Sequence, residues 1–557
     1  MKVDIRNESS LLIWKHLRHA SQEIKRETLH QLFQKTPKRA DIFHIRHQNL
    51  LLDYSKQKVN LNVMQRLSQL AKNSRVISAF DNMMSGAVVN QSEGRSALHT
   101  ALRLPQGQKL VVKGEDITQK VHTTLHAMEL IVHKLHAGYW RGCTGEPITD
   151  VVNIGVGGSD LGPFFACQAL HEFVPENAQH LQVHFVSSMD GIHIDRLLKK
   201  LNPATTLFIV ASKSFKTPDT LGNAKIAKAW LHSLDSEYHE RMKHHFIGVS
   251  SSAERMTEFG IQHQLPVFDW VGGRFSLWSA IGLPIAIKLG MKHFRELLAG
   301  AHAIDQHVIN APIANNIPLT MGLIAVWNAS FLDIHAHTIL PYDERMRHLP
   351  GYLSQLEMES NGKAVTHDGQ IVASQTSPIV WGNVGANAQH AYFQLLHQGT
   401  HYVSSDFIAP ISRYENATDI TEQQRALQEQ EKLMLANCIT QSRLLAFGDQ
   451  IKDGDSTPHL KYRGDQPSST LLMDRLTPYN LGSLLAIYEH KVFVMATLWN
   501  INPFDQWGVE MGKRMAQSML ADIQNPQDSQ QSHYDSSSAL LLNAVKKQNH
   551  YGSSNQS

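Results

Sequence analysis

DVVNIGVGGSDLG, residues 150–162, is an apolar strand-like run that opens into a glycine-rich loop, with a helix following from Pro163. The same arrangement recurs downstream. QVHFV (182–186) and TLFIVA (206–211) read as strands. The second leads into the hydroxyl-rich loop SKSFKT (212–217) and a helix from Asp219. HFIGV (245–249) is a fourth strand, and residues 267–270 lead into GGRFS (272–276). Short apolar strands alternating with helices predict a mostly parallel sheet covered on both faces. Ligands in such sheets bind beyond the carboxyl ends of the strands. All three loops lie on that edge.

A second alternating set follows. A helix is expected over 317–332, strands over 338–342, 377–383 and 403–409, and helices from Ala388 and across 422–436. The fold class is therefore α/β, with two αβα sandwiches. A helix over 479–500 closes the second, and another runs from Trp507 to about Leu520. Upstream, residues 1–75 read as amphipathic helices, with Leu11, Leu12, Trp14 and Leu17 near helical spacing, and 42–54 holds a short strand pair. The tail after Pro526 is rich in Ser, Gln and Asn, the composition of partial disorder.

Composition narrows the function. Of 557 residues, 42% are hydrophobic and 18% charged, enough to bury large cores. The formal net charge is +2 and no basic block occurs, which argues against nucleic acid as a partner. The 33 histidines give a surface whose charge rises below about pH 6.5. Cys143, Cys167 and Cys438 lie far apart, without CxxC or metal spacing, and fit a reducing compartment. The charged N-terminus lacks a signal-peptide core, and no uninterrupted apolar run reaches the ~20 residues of a membrane helix. The expectation is a cytoplasmic protein that does not enter a membrane.

The loops favour an anionic ligand. In GVGGS (155–159), glycines let the backbone approach closely, Ser159 adds a hydroxyl, and a helix N-terminus adds positive dipole. A dinucleotide fingerprint needs a third glycine where Asp160 stands, and the Walker pattern is absent, so no nucleotide cofactor is expected. Ser212, Lys213, Ser214 and Thr217 form a set that can wrap a single phosphate without metal; the plain alternative is an N-cap cluster. GGRFS presents Arg274 after Gly272 and Gly273, a permanent cation suited to a developing oxyanion or, alternatively, paired to a structural carboxylate such as Asp269.

LEMESNGKAVT (356–366) carries the base candidates Glu357 and Glu359. The following Ser360, Asn361 and Gly362 read as a helix ending in a left-handed turn. A carboxylate there can be aimed rigidly into a cleft; the plain alternative is a solvated glutamate. In NAQHAYFQLLHQG (387–399), His390 begins a helix and His397 lies two turns later on the same face. An imidazole can pass a proton in either direction, although a lone helix histidine is more often structural. FDQWGVEMGK (504–513) is a turn entering a helix, with Lys513 as a cation that most often would simply be solvated.

Together these stretches resemble the glucose-6-phosphate isomerase family. IGVGGSDLGP, ASKSFKT, VGGRFS, MESNGK, GANAQHAYFQLLHQGT and PFDQWGVEMGK stand in the family's order over nearly the whole chain. HYDSSSALLLNAVKK resembles its C-terminal arm. The resemblance implies two sugar-isomerase (SIS-type) domains: a small one over 121–288 and a large one over 289–512 that also takes in the helical segment 1–120. A C-terminal helix and arm occupy 513–557. It implies a homodimer and a metal-free, cofactor-free aldose–ketose interconversion of sugar phosphates. By position, Glu359 corresponds to the base, Arg274 to the cation beside the enediolate, and His390 and Lys513 to ring-opening groups, His390 coming from the neighbouring subunit. Gly158, Ser159, Ser212, Lys213, Ser214, Thr217, Gly273, Gln355 and Gln506 correspond to substrate-lining positions. Ser214 and Lys216 replace threonines of the family's SKTFTT loop, and Asp219 replaces a glutamate. Alternatives of the same fold are a glucose/mannose phosphate isomerase and a non-catalytic sugar-phosphate sensor. A metal-dependent isomerase has only the His335/His337 pair to suggest it.

Overall fold

The computed structural model describes residues 8–234, 236–413, 421–451, 457–524 and 534–554. The disorder expected after Pro526 falls partly on residues 525–533 and 555–557, outside the described residues. The chain forms two compact units, residues 1–504 and 505–557.

The first unit holds two parallel-rich sheets. One has five strands, all paired in parallel: Gln182–Val186, Asp150–Ile154, Thr206–Ala211, Phe246–Ser250 and His263–Pro266, in that spatial order. Residues of Thr206–Ala211 are buried without exception, which is why that stretch carries no polar alternation. The other sheet has six strands. Its parallel part orders Ser468–Met473, Ser404–Pro410, Ala336–Pro341 and Ile379–Gly382. The expected N-terminal strand pair is present as a hairpin, His44–His47 with Leu50–Asp53, and it extends this sheet antiparallel to Ser468–Met473.

Two long helical stretches, Leu283–Asn310, which is broken by non-helical backbone at Gly290 (φ +79), and Pro478–Trp499, pack on each other in the core. The second is long and apolar enough to cross a membrane by length and composition, although Glu489, His490 and Lys491 interrupt its apolar run, and 94% of its apolar window is buried inside the protein. It is a core helix. The two helices share a buried ionic cluster. Arg103 donates to Asp305 at 2.6 and 2.7 Å and to Glu489 at 2.7 Å, while His490 meets Asp305 at 2.7 Å. Trp278 donates its indole N–H to the other oxygen of Glu489 at 2.7 Å. Every member has partners, as ions this deep require. The cluster fixes the chain immediately after GGRFS.

Candidate functional site

Four segments of the first unit converge. The strand Asp150–Ile154 delivers the glycine loop. At Gly158 a Cβ would lie 2.0 Å from the carbonyl oxygen of Gly273, so only glycine lets this loop rest on the backbone of the Gly273–Phe275 turn. Ser276 spans both loops, donating to the carbonyls of Gly273 at 2.6 Å and Gly158 at 3.3 Å. Ser159 sits half-buried beside them, its carbonyl accepting from Asn153 at 3.1 Å.

Arg274 is buried, and its guanidinium is held from several sides. Nε donates to the Ser360 hydroxyl at 2.6 Å, a second nitrogen donates to the Pro503 carbonyl, and the third lies 3.5 Å from Glu359 Oε2. Its neighbour Phe275 stacks on the ring of His99 at 4.7 Å between centroids and meets Phe504 at 5.6 Å. Arg274 is therefore paired not to Asp269 but to the expected base.

The base segment departs from the sequence reading. The α-helix Leu349–Ser354 runs into a π-helical turn, Gln355–Glu359. Such wide turns carry an extra residue and recur at functional sites. No left-handed turn follows: Gly362 is absent from the positive-φ positions. Its amide donates to Met358 O at 2.9 Å, and a Cβ there would come within 2.4 Å of that oxygen. Glycine is needed at 362 for close approach. The two glutamates separate cleanly. Glu357 is buried and paired with Lys491, whereas the Glu359 side chain is 24% exposed and accepts from Gln355 Nε2 at 3.1 Å. Gln355 also reaches back over the glycine loop, its Nε2 lying 3.0 Å from where a Gly157 Cβ would be.

The hydroxyl loop is tied to the same edge. Ser212 and Thr217 share a hydrogen bond at 3.2 Å. Thr217 occupies the N-cap of the helix Pro218–Trp230 without using its side chain to cap it, so the plain capping alternative does not describe this hydroxyl. Lys213 donates to the carbonyls of Asp269 and Val271 at 3.0 and 2.8 Å, stapling the loop to the segment that precedes Arg274. Burial, and then the nearby Arg95 charge, lower its pKa. Phe215 takes φ +50 with its ring buried, and this left-handed residue turns the backbone between Ser214 and Thr217. Ser214 and Lys216 are exposed, and Arg255 donates to the Ser214 carbonyl at 2.8 Å. Arg255 and Ser360 are members that the sequence reading missed; neither stands in a motif that distinguishes it from an ordinary surface arginine or helix serine.

Asp160, the residue that breaks the dinucleotide fingerprint, is buried, and its Oδ1 has no hydrogen-bond partner. Burial pushes its pKa from the ordinary 3.8 up to about 6, against a hydrogen bond with Ser187. Between those values the folded state binds the proton more readily than the unfolded chain does. Its contribution to stability is thus present below pH 3.8 and lost as pH rises through about 6. Asp160→Asn is expected to raise the thermal unfolding midpoint at pH 7.5 and to give no gain below pH 3.8. A lower midpoint at pH 7.5 would contradict this.

The remaining expected residues stand on other elements of the first unit or in the second unit. His390 does not begin a helix: it lies in the last turn of Gly385–Ala391, and a break at Tyr392 (φ −144) starts a separate helix, Phe393–Gln398. His390 and His397 therefore do not share a helix face. His390 is exposed, while His397 is buried and bonded to Gln441 at 3.0 Å. Gln506 leads the turn Trp507–Val509, and Lys513 lies on the helix Glu510–Gln524, paired to Glu510 at 2.8 Å; both belong to the unit 505–557. His337 has both ring nitrogens engaged, by Ser404 at 2.8 Å and Asp406 at 3.1 Å, so it is a structural member of the sheet, while His335 precedes the strand Ala336–Pro341.

A carboxylate against a buried guanidinium, beside two glycine- and hydroxyl-rich loops, is an arrangement that can move a proton next to a carbonyl. The family model for phosphoglucose isomerase matches residues 53–542. The chain belongs to the phosphoglucose isomerase family. Among relatives, it is 51% identical to glucose-6-phosphate isomerase 2 of Chromohalobacter salexigens, covering 90% of this chain and 92% of that protein. It is 50% identical to the glucose-6-phosphate isomerase of Psychrobacter arcticus, over 93% and 94% of the two chains. The crystal structure of a glucose-6-phosphate isomerase from Chlamydia trachomatis superposes with a TM-score of 0.83 at 28% identity, covering 94% of this chain and 97% of that one. Family membership agrees with the α/β architecture and mostly parallel sheets expected from residues 150–276.

Proposed function

We propose that Glu359 is the base by which this chain interconverts glucose 6-phosphate and fructose 6-phosphate. The observation that carries this is the 3.5 Å approach of Arg274 to Glu359 Oε2. The proton α to a carbonyl is weakly acidic. A carboxylate takes it from C2 of the open-chain aldose and returns it to C1, so C2 is oxidised and C1 reduced within one molecule. No outside oxidant or reductant enters. The cis-enediolate between the two states is negative, and Arg274 stabilises it from a buried position. Gln355 holds Glu359 in line through its amide.

In this reading the phosphate rests on Ser212, Ser214 and Thr217, with Lys213 fixing the loop, and Gly158, Ser159, Gly273 and Gln506 line the sugar. His390 and Lys513 open the ring. The exposure of His390 supports its delivery to the neighbouring site of a homodimer. The protein works in the cytoplasm on a free sugar phosphate.

The test is to incubate purified protein with fructose 6-phosphate and EDTA and follow glucose 6-phosphate. Steady product formation is expected. Absence of product with folded protein would overturn the reading.

A further inference from the structure

Glu357 stands two residues before the base and takes no part in the cluster around it. Its carboxylate accepts from Lys491 Nζ at 2.9 Å, with side-chain exposures of 3% and 2%. Lys491 belongs to the core helix Pro478–Trp499. A buried ion pair is seldom more stabilising than apolar side chains of the same volume, and some such pairs serve specificity of structure instead. The neighbouring residues fit that second use. Met358 S accepts from the Val380 amide at 3.4 Å, the Ser360 hydroxyl accepts from Arg274 at 2.6 Å, and Asn361 donates to Val492 O at 3.2 Å. Every residue flanking Glu359 in this segment is anchored, and two of the four, Glu357 and Asn361, are held by consecutive residues of the core helix, Lys491 and Val492.

We infer that Lys491 is a positioning residue for the base: by pinning Glu357 it sets the rotation of the π-turn and so aims Glu359 at Arg274 and Gln355. A π-turn has wider, i→i+5 hydrogen bonding and is uncommon on its own, and the contact of Glu357 with Lys491 holds this one from outside. Without the ammonium, the Glu357 carboxylate has no reason to remain in the core, and the turn relaxes.

The inference rests on Glu359 being the base, and Glu359→Gln assayed alongside separates the two ideas. Lys491→Met is expected to lower kcat about 100-fold, as displacement of a reacting group by roughly 1 Å does, with KM for fructose 6-phosphate unchanged. It is also expected to lower the unfolding midpoint, because a buried charge is left unpaired. The double variant Lys491→Met/Glu357→Gln removes that charge, and it is expected to regain the midpoint while kcat stays low. Glu357→Gln alone keeps an oxygen for the ammonium and is expected to lose far less activity than Lys491→Met. Parental kcat in the double variant would overturn the inference, since the pair would then serve stability alone. So would an equal loss in Glu357→Gln, which would make the charge and not the position the active feature. If Glu359→Gln keeps its turnover, the reading of the base itself fails.

Discussion

Glu359→Gln is expected to lose isomerisation by about 1,000-fold or more while still binding the sugar phosphate, since a positioned general base contributes roughly 100- to 10,000-fold. The amide keeps the shape of the side chain and still offers an oxygen to Gln355, whose nitrogen lies 3.1 Å from the present carboxylate. It cannot take up a proton from carbon. The Arg274 guanidinium keeps its bonds to Ser360 and Pro503, so the fold of the site is expected to survive. Affinity for a non-reacting anionic analogue reads binding, and single-turnover kinetics read the chemical step. Loss of binding with an unaltered chemical step would make Glu359 a substrate holder.

Arg274→Ala is expected to lower kcat by about 100- to 1,000-fold with a smaller effect on KM, the pattern of an interaction strengthened in the transition state. The guanidinium is buried and already fixed by Ser360 and Pro503, so it does not need to reorganise when the enediolate forms. In the proposed reading the phosphate rests on a separate loop, whose Ser212 and Thr217 hydroxyls are bonded to each other. Removing the arginine should therefore leave most of the anchoring intact. An effect on KM alone would assign Arg274 to ground-state holding. Unfolding of the variant is checked by its thermal midpoint.

The legible parts of this chain are those whose physics is local. Thr206–Ala211 was readable because every residue is buried, so hydrophobicity alone marks it. Ser468–Met473 was missed for the opposite reason. SSTLLM is half hydroxyl, yet its residues are mostly buried, and Ser469 accepts from Gln57 at 2.9 Å across the sheet. A polar strand in a core depends on partners hundreds of residues away, which local composition does not encode. The π-turn was invisible likewise: QLEME has no composition that separates it from an α-helix, and its anchors are Lys491, Val380 and Arg274. The segments that converge were legible, because glycine loops, hydroxyl loops and the arginine after two glycines are local signals. What failed were inferences that needed exact helix ends, at His390 and Gly362.

The central claim is that one carboxylate carries hydrogen between adjacent carbons. It is tested most directly by converting glucose 6-phosphate deuterated at C2 in ordinary water and reading deuterium at C1 of the fructose 6-phosphate by NMR. Transfer of a measurable fraction of the label to C1 by the parent protein, and no label movement with Glu359→Gln, is the expected result. Label reaching C1 at the parental rate in Glu359→Gln would contradict the account.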